Sequence, residues 1–163
     1  MKKNCMSEKL QKAEKVVKNY MLLSLGAGLI PFTFIDMVAI TGVQLKMIDS
    51  LAKVYEVPFK KDAGKSIISS LIGSITASSL ARGAVGSALK SIPGIGTIMG
   101  IISMPIFSGA TTYALGKVFI QHFETGGTFL TFNPEKVKEY FAEEFKKGNE
   151  VTAEIKPEAD KKQ

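Results

Sequence analysis

Between Thr33 and Val57 the apolar residues recur at alternating three- and four-residue steps. Ile40, Val43, Met47, Leu51 and Val54 make one stripe, and Lys46, Asp49, Ser50 and Lys53 make the opposite, wet face. That spacing predicts an amphipathic helix. Thr33 is suited to the N-cap and Asp36, three residues on, completes a capping box that satisfies N–H groups left orphaned at the helix start. Phe32 and Met37 occupy the staple positions, Pro31 interrupts the apolar run before the cap, and Pro58 ends the helix.

The same periodicity marks a first helix over residues 5–25, with Leu10, Ala13, Val17, Tyr20 and Met21 on one side and Lys9, Lys12, Lys15 and Lys18 on the other. Gly26 and Gly28 loosen it before Pro31 stops it. A third segment, 63–91, is rich in small residues: Ser66, Ser70, Ser74 and Ser78 recur every fourth position, beside a row of Gly73, Ala77 and Ala81. Ser70, Gly73, Ser74, Ala77, Ser78 and Ala81 are therefore candidate helix–helix contacts. Small residues let backbones approach closely, in a membrane or in a tight soluble bundle, and both readings stay open. Ile92–Pro93–Gly94–Ile95–Gly96 is a break. A fourth helix runs from about Thr97 to His122, with Pro105 expected to kink it and Gly126–Gly127 to end it. In the last helix Asn133 caps, Pro134 takes the first position, Phe132 and Val137 can staple, Val137, Tyr140, Phe141 and Phe145 form the apolar face, and Gly148 closes.

The expected fold is all-α: a compact bundle of four to five helices in hairpins broken at Pro/Gly turns. Residues 1–148 form one domain, and 149–163 are read as a disordered charged tail.

Charge changes this picture because it is segregated. Residues 19–45 carry one charge, Asp36, and residues 91–116 carry none, in a chain of net charge +6. The excess of lysine lies in the amino-terminal half. Basic charge beside apolar segments suits an anionic lipid surface. Residues 19–43 and 92–116 are long enough to span a bilayer, yet each is broken by proline and glycine, so spanning and a bent hairpin of a soluble bundle both remain. Nucleic acid is excluded as a partner, since Arg82 is the one arginine and aromatics do not interleave with basic residues.

Candidate chemistry is sparse. Gly64–Lys65–Ser66 resembles the end of a phosphate-binding loop, but the glycine required five positions earlier is Phe59. Gly94 and Gly96 with Gly100 lack dinucleotide spacing. His122 is the single histidine and Cys5 the single cysteine, so no metal site, disulfide framework or catalytic triad can be assembled, and no cofactor is expected. His122 reads as a helix-end residue facing solvent or the helix dipole. Asp36 reads as a cap, with an intramembrane acid as the other reading because it shares the stripe of Val43, Met47 and Val54. Neither an acid–base pair nor an enzyme is expected.

Two blocks carry a resemblance. The first holds Ile30–Pro31–Phe32–Thr33–Phe34–Ile35–Asp36, Ala39–Ile40–Thr41, Gln44–Leu45–Lys46–Met47–Ile48 and Leu51–Ala52–Lys53–Val54–Tyr55. The second holds Ile92–Pro93–Gly94–Ile95–Gly96, Thr112–Tyr113–Ala114–Leu115–Gly116–Lys117–Val118–Phe119 and Phe123–Glu124–Thr125–Gly126. Over about residues 20–128 the chain resembles the bacterial family known as domain of unknown function 697. Ile30, Pro31, Thr33, Asp36, Pro93, Gly94 and Gly96 would be its structural turns. The resemblance implies a helical, apolar, often membrane-located protein that occurs with small GTPases. This chain has no Walker A motif, so such a GTPase would act in trans. The function expected is a non-enzymatic, membrane-associated helical module on the cytoplasmic side, an anchor or interaction partner that forms a homo-oligomer. The alternative is a soluble, cytoplasmic, self-assembling scaffold.

Overall fold

A computed structural model describes the backbone of residues 2–27, 35–81 and 95–160, and the side chains of 7–26, 38–75 and 105–155. Five helices make up the described residues: α1 (Lys2–Ala27), α2 (Ile35–Val54), α3 (Lys61–Ala81), α4 (Ile95–Glu124) and α5 (Pro134–Asp160). The all-α bundle expected from the sequence is what forms.

Helix α4 is the axis. It packs on α1, α2 and α5, while α3 packs on α2 and α5. Side-chain pairs fix the directions. Glu14 meets Lys117 and Ser24 meets Thr112, so α1 and α4 are antiparallel. Gln44 meets Thr111 and Tyr55 meets Glu124, so α2 and α4 are parallel. The core fills with Met47, Ile48, Leu51, Ile68, Leu71, Leu115, Phe119 and Phe141, all 0–2% exposed. Burial on this scale is the main source of cohesion, at about 1.5–3 kcal/mol for each large apolar side chain. At one end Phe119 stacks on Phe132 with ring centroids 5.0 Å apart, and Phe123 meets Phe129 edge-on at 5.7 Å.

Of the α2 stripe, Ile40, Met47 and Leu51 are buried and Val43 and Val54 half-buried, and the inward face is wider than the stripe alone: Gln44, Leu45, Ile48 and Ala52 are buried too. The helix stops earlier than Pro58. Val57 N–H donates to Ala52 O at 2.8 Å and Glu56 N–H to Lys53 O at 3.3 Å, a paired C-terminal cap that places Glu56 at φ 60°. Gly126 and Gly127 do end α4, through bonds to Phe123 O and His122 O. At α5, Asn133 Oδ1 accepts from Glu135 N–H at 3.0 Å, as the cap requires. Helix α4 continues through Pro105.

One expectation is overturned. Gly148 does not close the last helix, which runs on to Asp160. Thr152 is fully buried and its hydroxyl donates to Gly148 O. Gly148 is glycine because of packing: a Cβ there would lie 2.9 Å from the Ala110 backbone of α4.

Candidate functional site

Two features lie outside simple core packing. The first is a polar seam where α1, α2 and α4 meet, built from Ser24, Gln44, Ser108, Thr111 and Thr112, all 0–1% exposed. Its protons can be assigned by count. Thr111 Oγ1 donates to Phe107 O at 2.8 Å, Thr112 Oγ1 to Ser108 O at 2.8 Å, and Ser108 Oγ to Ser24 O at 3.1 Å. The Ser24 hydroxyl, 2.8 Å from Thr112 Oγ1, is then the donor of that pair. Both threonine oxygens accept from Gln44 Nε2, at 3.2 and 3.3 Å. Gln44 Oε1 is left buried without a partner, at a cost of about 1–3 kcal/mol. Turning the amide over would face its oxygen with hydroxyls whose protons are already committed. Every hydroxyl proton of these side chains is spent on a carbonyl or another hydroxyl, and among the described residues no carboxylate or histidine joins the seam, so its bonds tie α1, α2 and α4 together. Gln44 comes from the first resemblance block and Thr112 from the second, so the two blocks meet here as they do at Tyr55 and Glu124.

The second feature is a surface. Leu22 and Leu23 at the end of α1 are 41% and 58% exposed, and Val38 at the start of α2 is 76% exposed. The antiparallel hairpin puts all three at one end of the bundle. From Val38 a groove of about 360 Å³ runs between α2 and the first turns of α3, lined by Val38, Thr41, Gly42, Leu45, Lys61 and Lys65. A further hollow of about 270 Å³ adjoins it at Gly42, Leu45 and Lys61 and extends to Lys46, Asp49 and Phe59. Lys46, Lys60, Lys61 and Lys65 are exposed. None forms an ion pair with a described residue, the described pairs being Lys9–Glu56, Lys53–Asp49, Lys117–Glu14, Lys138–Glu135 and Lys147–Glu144. The acids nearby do little to offset them. Asp49 is held by Lys53 at 2.7 Å, a bond that raises the lysine pKa, which leaves Asp62.

Gly42 is the informative residue of the groove. A glycine inside a helix costs about 1 kcal/mol relative to alanine. Here no packing explains it, since a Cβ would meet nothing within 4 Å. Its effect is to lower the groove floor. Periodicity does not mark such a position; a helix-interior glycine at an unpacked face is the signal that would have found it.

The sequence-derived candidates fall elsewhere. Ile30, Pro31, Thr33, Pro93 and Gly94 lie outside the described residues. Asp36 and Gly96 fall within the first turns of α2 and α4, and their surroundings lie outside too. On α3 the core-facing residues are Ile67, Ile68 and Leu71; Ser70 and Ser74 are half-buried, Gly73 is exposed, and the side chains of Ala77, Ser78 and Ala81 are outside the described set. Gly64–Lys65–Ser66 lies inside α3, with Gly64 packed on Leu45 and Phe59 rather than open to a phosphate. His122 is half-buried, its Nε2 donating to Thr128 O at 2.9 Å and its ring edge-on to Phe132 at 4.8 Å, where solvent or the helix dipole was expected. Among the described residues no three of His, Cys, Asp and Glu converge as metal ligands, and no helix is long and apolar enough to cross a membrane.

With this geometry in view, comparison with known proteins gives two findings. A family model described as Domain of unknown function (DUF697) matches residues 1–150, a wider span than the two blocks. Magnetosome membrane protein 22 of Magnetospirillum gryphiswaldense is 35% identical over 144 residues, covering 88% of this chain and 74% of that protein. No solved structure matches.

Proposed function

The chain belongs to the DUF697 family, and from that premise we propose that it is a non-enzymatic helical module that associates with the surface of an anionic membrane. The observation that carries the reading is the coincidence, at one end of the bundle, of exposed Leu22, Leu23 and Val38 with the lysine-edged groove. Apolar side chains that reach the acyl boundary and lysines that meet lipid phosphates act together on such a surface, each lysine contributing about 1 kcal/mol. The magnetosome relative is by name a membrane protein, which supports the same reading here. In this reading the membrane face is the cytoplasmic one and the module serves as an anchor. Its partners would be a GTPase in trans and a second copy of itself, the latter met along Ser70, Gly73, Ser74, Ala77, Ser78 and Ala81.

Flotation of the full chain with phosphatidylcholine vesicles, with and without phosphatidylglycerol, tests this. Flotation with the anionic vesicles, weakened by salt and by Leu22→Glu with Leu23→Glu, is expected. A chain that stays in the dense fraction with both vesicle types overturns the reading. The exposed leucines also favour a second reading, a soluble self-assembling scaffold. That reading requires a stable detergent-free oligomer by light scattering together with no flotation.

A further inference from the structure

We propose that the α2–α3 groove is a binding site for a single anionic phospholipid, its phosphate held by Lys61 and Lys65 and its acyl chain laid along Val38, Gly42 and Leu45. The inference deepens the membrane reading above and rests on it. Three independent observations converge on the groove. It is amphipathic in the order a lipid requires, with apolar walls in α2 and cations on the α3 side. Its lysines lack ion-pair partners among the described residues, while the one acid of its lining, Asp49, is already engaged by Lys53. And its floor is a helix-interior glycine that the protein's own packing does not need.

Charge complementarity selects the occupant. An ammonium on a flexible stem binds a phosphate as a point charge. A cationic or zwitterionic headgroup would present its own ammonium to Lys46 and Lys61, so an anionic headgroup is the match. The acyl chain separates a lipid from free phosphate: Val38 is 76% exposed, and covering it removes apolar surface from water, which inorganic phosphate cannot do.

The test uses the full isotope-labelled chain, monomeric dihexanoyl-phosphatidylglycerol, and inorganic phosphate at matched concentration, read by amide NMR. Saturable shifts at Gly42, Leu45, Lys61 and Lys65 with the lipid and not with phosphate are expected. Gly42→Leu, which fills the floor where a side chain meets no neighbour, should abolish them. The pair Lys61→Ala with Lys65→Ala should weaken binding to phosphatidylglycerol vesicles by about fivefold for each lysine. Lys12→Ala with Lys15→Ala, an equal loss of charge on the exposed face of α1, should weaken it less. Circular dichroism and thermal melting confirm that each variant folds. Equal shifts with phosphate alone, unchanged shifts in Gly42→Leu, or equal losses from the two lysine pairs would overturn the groove assignment. Flotation on anionic vesicles without lipid shifts overturns the groove and leaves the membrane reading standing. Failure of flotation in the unaltered chain overturns both.

Discussion

Val17 of α1 fills the space that a side chain on Gly116 of α4 would occupy: a Cβ placed on the glycine would overlap both Val17 methyl groups. The two helices meet there backbone to side chain, and the fit admits nothing larger. Gly116→Ala should therefore lose about 1–3 kcal/mol to overpacking, of which about 1 kcal/mol is offset by better helix propensity. Gly42→Ala has no such neighbour and should gain up to about 1 kcal/mol. Thermal melts should move in opposite directions, by about 2–4 °C per kcal/mol for a domain of this size. Two shifts of the same sign would refute the distinction drawn between the glycines.

Gln44 should be replaceable by an apolar residue of similar size. Gln44→Leu removes the orphaned Oε1, and Thr111 and Thr112 keep their own donated bonds. Its stability should stay within about 1 kcal/mol of the parent. Gln44→Glu instead buries a carboxylate with no cation in the seam and should cost at least about 3 kcal/mol at neutral pH. The new carboxyl would have a raised folded pKa, so the loss grows as pH rises above the unfolded value of about 4.3 and shrinks below it. Denaturant midpoints across acid and neutral pH would show whether the two variants diverge in this way.

The far end of α5 should contribute to stability. Truncation after Gly148 removes Thr152, which is fully buried, and the half-buried Val151 and Ile155. A loss on the order of 2 kcal/mol is expected from the apolar area alone. An unchanged melting temperature in the truncated chain would show that the segment does not dock in solution.

Alkaline pH should weaken the fold through three groups. Burial opposes the charge on Lys117, but the hydrogen bond and charge of Glu14 outweigh it and lift the lysine above its ordinary value. Burial, with the charge of Glu124, pushes the Tyr55 phenol far up, and burial with Glu144 raises Tyr140. All three folded values exceed the unfolded ones, so each contribution is complete below about pH 10 and is lost as pH climbs through the folded values. Tyr55→Phe should flatten this alkaline fall, measured as the change in denaturant midpoint between about pH 8 and about pH 11. An equally steep fall in the variant would remove Tyr55 from the account.

The helices were legible because their apolar positions repeat: Ile40, Met47 and Leu51 of α2, and Ala13, Val17 and Met21 of α1, are buried as their spacing demands. The Asn133 cap was legible because its chemistry is local. What spacing could not supply was the identity of partners across the fold. Gly148 reads as a helix stop until Ala110 is seen against it, and nothing local to Gln44 names Thr111 and Thr112, which arrive from a helix some 67 positions along. The groove was hidden for the same reason. Nothing in the spacing of Lys61 and Lys65 points to α2, and Gly42 becomes informative only when the space around it is known to be open.

Helices α1, α4 and α5 are keyed into one another by the Val17–Gly116 and Ala110–Gly148 contacts, and α3 sets Gly64 against Leu45 of α2 and buries Ile67, Ile68 and Leu71. A keyed helix cannot slide by a turn without its side chain leaving its slot. One wall of the groove is α3 and the other is α2. An occupant that touched both walls would act as a clasp between α2 and α3, and filling the groove is expected to slow amide exchange along α3.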